Sequence, residues 1–307
     1  MPPLVAFSTL ACPGWGWSQL LEHVRPYGYD GIECRMLRGD TDLLAQPEFQ
    51  PSQRATRLRE TQNAGWQVAG LASSVRFDYP SAAACAEQVE IGRRYLDLAR
   101  ELGATFVRVF GDVLPPSADP GRDTVFGQIV CGLEALGKHG EQTGVRVLIE
   151  THGDFSDTHL LYDLLKWVES GAVGTVWDTH HPWRFHGEPL AESYQRLAPW
   201  VWHTHWKDSV TIPPSAQAAR HAQLAADVSR LMSSGHKHAD YALFGGGEFP
   251  ILECLRILKQ AGYQGWYSLE CEKAWHPDLA EPELALPLFA PKLRELWAVL
   301  AVPAGGG

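Results

Sequence analysis

The sequence predicts an α/β fold, a single (β/α)8 barrel, and three observations predict it. Short apolar runs alternate with helical patterns from end to end, the order expected when parallel strands are joined by crossover helices. Eight such runs can be counted, at residues 4–8, 31–35, 67–72, 105–110, 145–150, 174–178, 201–206 and 265–270. Their rhythm is regular: 28 residues separate Glu150 from Asp178 and 27 separate Asp178 from His205, close to one strand-plus-helix unit when roughly 250 residues are shared among eight.

Taken in order, LVAFS opens the chain as the first strand, and Gly28-Tyr29-Asp30-Gly31 leads into the second, GIECR. Gly65 precedes the third strand. Residues 82–102 carry Val89, Leu96 and Ala99 near the helical period and stop at Gly103, so a helix with a glycine cap delivers the chain to the fourth strand. Helical patterns at 122–142 and 157–169 flank the fifth strand, with Gly144 again at the junction. After strands six and seven, segment 209–246 is too long and irregular for an ordinary connection and reads as a functional insertion between strands 7 and 8. A helix at 250–261, the Gly262-Tyr263-Gln264-Gly265 junction, the eighth strand and a helix at 284–300 complete the pattern. Residues 1–300 are therefore expected to form one domain, and the glycine-rich tail in 301–307 to be disordered.

At 307 residues and 45% hydrophobic content the chain can bury one sizeable core. A formal net charge of −10 opposes a nucleic-acid partner, because such binding draws on Lys and Arg neutralising phosphates. The six cysteines (Cys12, Cys34, Cys85, Cys131, Cys254, Cys271) include no C-x-x-C pair, which fits a reduced, cytoplasmic protein better than a disulfide framework or a thiolate zinc site. The N-terminal apolar stretch lacks a basic flank and is broken by Ser8, Pro13 and Gly14, so no signal peptide is expected. No run approaches the roughly 18 apolar residues of a membrane span.

Four of the strand runs end on a potential metal ligand: VRVLIE on Glu150, GTVWD on Asp178, VWHTHW near His205, and WYSLE on Glu270. In such a barrel the active site lies at the C-terminal ends of the strands. Three carboxylates crowded there would repel one another unless a cation were present, so the pattern points to one divalent metal. Oxygen-rich ligation with one imidazole suits Mn²⁺ and Mg²⁺ ahead of Zn²⁺, with Co²⁺ and Zn²⁺ also able to bind. His203 shares a face with His205, and spacing leaves the choice between them open.

The motifs GYDGIECR, VLIETHGDF, WDTHHPW, HTHWKD and FGGGEFPILECLRILKQAGYQGWYSLECEKAW together resemble the xylose isomerase-like superfamily of TIM-barrel sugar phosphate isomerases and epimerases, over essentially the whole chain. Its most specific parts are Asp178-x-x-His181, His205-x-Lys207-Asp208 and the strand ending at Glu270. The resemblance to ketose 3-epimerases implies a metal held by Glu150, Asp178, His205 and Glu270, and it selects His205 over His203. It also implies a substrate contact from His181. The chain departs from the apurinic-site endonucleases of that superfamily, since VRVFGD has Arg108 and Phe110 where a metal-binding histidine would stand.

Other candidates follow from placement. His152 lies two residues beyond Glu150 and on the same side, as a substrate ligand or proton shuttle. Arg108 binds a substrate hydroxyl or carboxylate, or else balances the carboxylates. Glu33 closes the second strand, for substrate hydrogen bonding or for structure. Lys207 shares the face of His205, where it would polarise a carbonyl or steady an enolate. Lys273, Trp275, His276, Trp15 and Trp17 are candidates for the rim.

In the epimerases that the chain resembles, Glu150 and Glu270 would flank a sugar, keto-sugar or cyclitol; one takes a proton beside the metal-polarised carbonyl and the other returns it on the opposite face. The same enediolate can expel a β-substituent, which makes a lyase or dehydratase the alternative. A non-catalytic sugar-binding barrel is a third reading that the complete ligand set opposes. No glycine-rich phosphate loop is evident, which favours an unphosphorylated substrate. The resemblance further implies a homo-oligomer.

Overall fold

A computed structural model of the chain describes residues 2–216, 218–219 and 235–300. The tail at 301–307 and the middle of the 209–246 segment lie outside the described residues. The strands are β1 (Leu4–Ser8), β2 (Gly31–Cys34), β3 (Gln67–Arg76), β4 (Phe106–Phe110), β5 (Arg146–Glu150), β6 (Val173–Asp178), β7 (Val201–Trp206), β8 (Asp208–Val210), β9 (Asp240–Ala242) and β10 (Trp266–Leu269). Eight of them close into a parallel barrel in the order β1-β10-β7-β6-β5-β4-β3-β2, while β8 and β9 pair separately. The (β/α)8 architecture read from the sequence is the one found. The short antiparallel ribbon β8–β9 is formed by the two flanks of the expected insertion.

The helices are α1 (Trp17–His23), α2 (Pro51–Asn63), α3 (Ala82–Leu102), α4 (Arg122–Thr143), α5 (Thr158–Lys166), α6 (His180–His186), α7 (Leu190–Leu197), α8 (Ile251–Gln260) and α9 (Pro282–Val299). Those expected from periodicity are present with modest shifts at their ends. α1, α2, α6 and α7 were not anticipated; α2 buries only Thr61, so no apolar stripe announces it. The caps of α3 and α4 are Gly103 (φ 70°) and Gly144 (φ 72°), left-handed positions that glycine occupies without Cβ strain. Among the described residues, no helix is long and apolar enough to cross a membrane. All six cysteines are free.

Strand alternation divides the barrel into two environments. Outward residues such as Val5, Phe7, Ile32, Val107, Val147, Trp177 and Tyr267 join the large core under the helices. The inward residues begin apolar: Ala6, Ala69 and Trp266 form one small cluster and Phe106, Leu148 and Val176 another. Higher in the barrel the inward positions turn polar, at Glu33, Arg108, Glu150, Asp178, His203 and His205, all buried. The apolar layer is thus a floor, and the polar layer is the base of a cavity.

The floor depends on a glycine. Pairing of β2 with β3 shifts register between Ile32 and Glu33, and Gly70 lands opposite Phe106. A Cβ on Gly70 would stand 2.2 Å from the Phe106 ring. Gly70→Ala is therefore expected to lower stability by about 1–3 kcal/mol through overpacking, read as a lower urea midpoint; an unchanged midpoint would show that the ring moves aside at no cost.

Candidate metal centre

The C-terminal ends of four strands that stand in the order β5, β6, β7, β10 bring Glu150, Asp178, His205 and Glu270 together. One donor atom from each lies within 4.8 Å of all the others, and all four residues are buried. His205 reaches Glu150 Oε1 (2.8 Å) and Glu270 Oε2 (3.2 Å) through Nδ1. Its Nε2 meets Glu33 Oε1 at 2.9 Å. Burial would keep this ring neutral, but Glu270, Glu33 and Glu150 push its pKa well above that of an ordinary histidine.

Glu33, expected either to touch substrate or to serve structure, lies under the cluster. It accepts from Ser268 Oγ (2.8 Å) and pairs with His203 Nε2 (2.9 Å) as well as His205. Burial works against its ionisation, yet the two imidazoles hold its carboxyl well below the usual range. A carboxylate behind a ligating histidine fixes the ring and raises its basicity. His203 lies one layer deeper, with its ring 4.4 Å from that of Phe106, on the floor side of Glu33.

Lys207 is buried among carboxylates. Its Nζ donates to Glu270 Oε2 (2.6 Å) and Glu272 Oε1 (2.6 Å) and forms an ion pair with Asp178 Oδ2 at 2.8 Å. Burial alone would lower its pKa; these three anions raise it well above the usual lysine value. Its fourth contact is His181 Nε2 at 3.2 Å. His181 Nδ1 faces the Thr151 carbonyl at 3.0 Å, so Nδ1 carries the proton and Nε2 accepts. Burial and the neighbouring Lys207 keep that ring neutral. The turn is set by Asp178 Oδ1, which accepts from the backbone N–H of both His180 and His181 at 2.9 Å.

His180 faces away, bonded to Ser209 Oγ (2.7 Å) and packed on Trp183, Tyr241 and Phe249. It is buried, not solvent-facing. His152 lines the cavity with Arg108, Glu150 and Glu270, and Asp112 Oδ1 holds its Nδ1 at 2.9 Å. Burial lowers the His152 pKa, but the Asp112 bond outweighs it and leaves the value raised. Arg108 sits 3.3 Å from Glu150 Oε2 and stacks on Phe110.

Two rim candidates lie elsewhere. Lys273 Nζ donates to the carbonyls of Pro277 (2.8 Å) and Leu279 (2.7 Å), closing the turn after β10. Trp15 packs on His23, with ring centroids 5.1 Å apart. Of the tryptophan candidates, Trp275 does line the cavity, alongside Phe110, Arg35, Glu272 and His236. Glu272, Arg35 and Asp112 were not singled out from the sequence. The first two stand two residues past Glu270 and Glu33, so continuing the inward alternation would have found them; Asp112 follows Phe110 in the same way. Burial pushes the Glu272 carboxyl up to about 7, against the pull of Lys207. Asp208, beside Lys207, is a structural clamp: its carboxylate accepts from the N–H of Gly245 (3.0 Å), Gly247 (2.9 Å) and Phe249 (3.0 Å).

Comparison with known proteins agrees with this architecture. Among curated proteins, an inosose dehydratase of Klebsiella pneumoniae subsp. pneumoniae is 25% identical over 177 residues, covering 57% of this chain and 54% of that protein. The chain spans about half the length of the curated relatives it matches. Among solved structures, a zinc-bound IOLI protein superposes with a TM-score of 0.73 at 18% identity, covering 97% of this chain and 98% of that one. An L-ribulose 3-epimerase superposes with a TM-score of 0.70 at 16% identity over 100% of both chains. Residues 21–288 match the family described as Xylose isomerase-like TIM barrel, and the chain belongs to that family.

Proposed function

We propose that this protein is a divalent-metal-dependent isomerase or epimerase that moves a proton beside the carbonyl of a sugar, keto-sugar or cyclitol. The observation that carries the proposal is the convergence of Glu150, Asp178, His205 and Glu270, with donor atoms within 4.8 Å of one another. The donor set fits a cation. Five buried carboxylates (Glu33, Glu150, Asp178, Glu270, Glu272) face three buried Arg and Lys side chains (Arg35, Arg108, Lys207), and with His205 neutral as a ligand one divalent ion would neutralise the remainder. Three carboxylates and one imidazole suit Mn²⁺ or Mg²⁺, with Co²⁺ and Zn²⁺ as alternatives; the solved IOLI relative carries zinc.

Bound there, the metal supplies Lewis-acid polarisation of a carbonyl and its neighbouring hydroxyl. The rest falls to side chains. Glu150 and Glu270 end the outer strands of the β5-β6-β7-β10 run, with Asp178 and His205 between them, so the two glutamates flank a substrate lying over the cluster. One removes the proton and the other returns it on the opposite face. Lys207 and His205 hold the Glu270 carboxyl well below its usual pKa despite its burial, which keeps it ionised as a base. Lys207 also steadies negative charge that develops on substrate oxygen. Neutral His181 can accept a hydrogen bond from a substrate hydroxyl at Nε2, and Asp112 holds His152 for proton transfer at the cavity wall. Arg35 and Trp275 take the rim role expected of Lys273 and Trp15.

A second outcome, elimination by a lyase, is favoured by one observation. Glu272, with its carboxyl near pH 7 and a 2.6 Å bond to Lys207, is an additional acid that can protonate a departing hydroxyl. The inosose dehydratase relative is in keeping with this. Incubation in D₂O separates the two: epimerisation returns deuterated product of substrate composition, whereas elimination yields a product lighter by water.

Chelator-treated protein is expected to lose turnover and to recover it with Mn²⁺. Glu270→Gln keeps an oxygen for the metal but removes the base, so turnover should fall about 10²-fold or more with an unchanged circular-dichroism spectrum. If Glu270→Gln and Glu150→Gln both turn over normally, the two-carboxylate mechanism is wrong.

The adjacent histidines should separate cleanly. His181→Ala is expected to raise KM or lower kcat about tenfold, the worth of one strong hydrogen bond, with metal content retained. His180→Ala should instead cost about 1–3 kcal/mol of stability by emptying a buried, hydrogen-bonded site, with KM nearly unchanged. Loss of metal from the His181 variant would place that residue among the ligands.

A further inference from the structure

Beside the carboxylate cluster, two stretches of chain bring three imidazoles together. His236 and His238 share a side of the segment leading into β9, while Lys237 between them turns the other way, to Ser156 Oγ (3.1 Å) and His186 Nε2 (3.2 Å). His276 comes from the turn after β10 and is fully buried. Ring centroids are 5.4 Å apart for His236 and His238, 5.9 Å for His236 and His276, and 5.7 Å for His238 and His276. One ring nitrogen from each lies within 4.8 Å of the other two. His236 Nε2 is buried and has no hydrogen-bond partner among the described residues, an arrangement that is unfavourable unless something fills it.

We propose that His236, His238 and His276 form a second metal site, separate from Glu150, Asp178, His205 and Glu270, that takes a borderline divalent ion, Zn²⁺ above all. Three imidazoles with an open fourth position make a zinc donor set, whereas Mn²⁺ and Mg²⁺ prefer oxygen. Ligand nitrogens about 2.0–2.1 Å from zinc stand roughly 3.4 Å from one another in a tetrahedron, so binding draws the three nitrogens together from their present spacing of within 4.8 Å. His236 also lines the cavity bounded by Glu150, Glu270, Glu272 and Trp275. The open position of the ion therefore sits at the cavity edge, where it binds an oxygen or an anionic group of the substrate. The same ion ties the segment returning from the 209–246 excursion to the exit of β10.

The donor chemistry of the two sites makes them separable by metal. Stripped protein is dialysed against Mn²⁺ or Zn²⁺ and the bound metal is counted by elemental analysis. The expected result is about one equivalent of Mn²⁺, in the carboxylate cluster, and about two of Zn²⁺. His238→Ala and His276→Ala should each remove about one equivalent of zinc and leave manganese unchanged. With Co²⁺, the wild type should show visible absorption from a tetrahedral nitrogen-rich site, and both variants should lose it. Equal zinc stoichiometry in the wild type and both variants overturns the proposal. Where a variant has lost its circular-dichroism spectrum, His238→Asn replaces it in the same comparison. Failure of the wild type to take up manganese would count against the carboxylate site alone, and the zinc lost from the variants would still decide this one.

Discussion

Five carboxylates buried in the mouth of one barrel are the constraint around which this structure is arranged. An isolated buried carboxylate is far from its hydration and would take up a proton or unfold its surroundings. Here each has a named counterpart: Arg108 beside Glu150, Lys207 among Asp178, Glu270 and Glu272, and His203 and His205 on either side of Glu33. The groups are mutually dependent. Lys207 is held charged only by its three anions, and Glu270 stays ionised because Lys207 and His205 adjoin it. Such a network favours one geometry, because removing one member leaves a buried charge without compensation.

The fold meets this constraint by dividing the barrel interior. Phe106, packed over Gly70, and Trp266, packed over Gly31, seal the lower part, so the polar layer rests on a dry floor where electrostatic interactions are strong. Above the cluster, Asp208 gathers the backbone of Gly245, Gly247 and Phe249 and draws the chain leaving β7 back toward α8. A Cβ on Gly247 would meet Asp208 Oδ1 at 2.1 Å, so the glycine-rich turn and the Asp of His-x-Lys-Asp form one device. Floor and clamp hold from two sides the strand ends that carry Glu150, Asp178, His205 and Glu270.

Much of this was legible in the sequence because period-two alternation and strand endings are local signals. Glu150, Asp178, His205 and Glu270 each close an apolar run, and the structure brings their donor atoms together. The His203 and His205 ambiguity was real, since both face inward; the structure separates them by depth. What local pattern did not carry were contacts made after the strand has ended. Glu272 and Arg35 continue the inward alternation past the points where β10 and β2 stop. Asp112 (φ 51°) follows β4 in a left-handed conformation, and its partner, His152, is 40 residues away. Lys273, close after a strand end, and the more remote Trp15, an aromatic, were candidates by residue type, which says nothing of where a long side chain turns. The surface helix α2, with little apolar content, lacked the stripe that marks its neighbours.

The most direct test of the central claim is anomalous diffraction from a crystal soaked in Mn²⁺. The account predicts a peak roughly 2.0–2.4 Å from a carboxylate oxygen of each of Glu150, Asp178 and Glu270 and from His205 Nδ1, with His205 Nε2 still on Glu33. At saturating Mn²⁺, density without a peak among these four side chains, and with Lys207 Nζ alone neutralising Asp178 and Glu270, would contradict it.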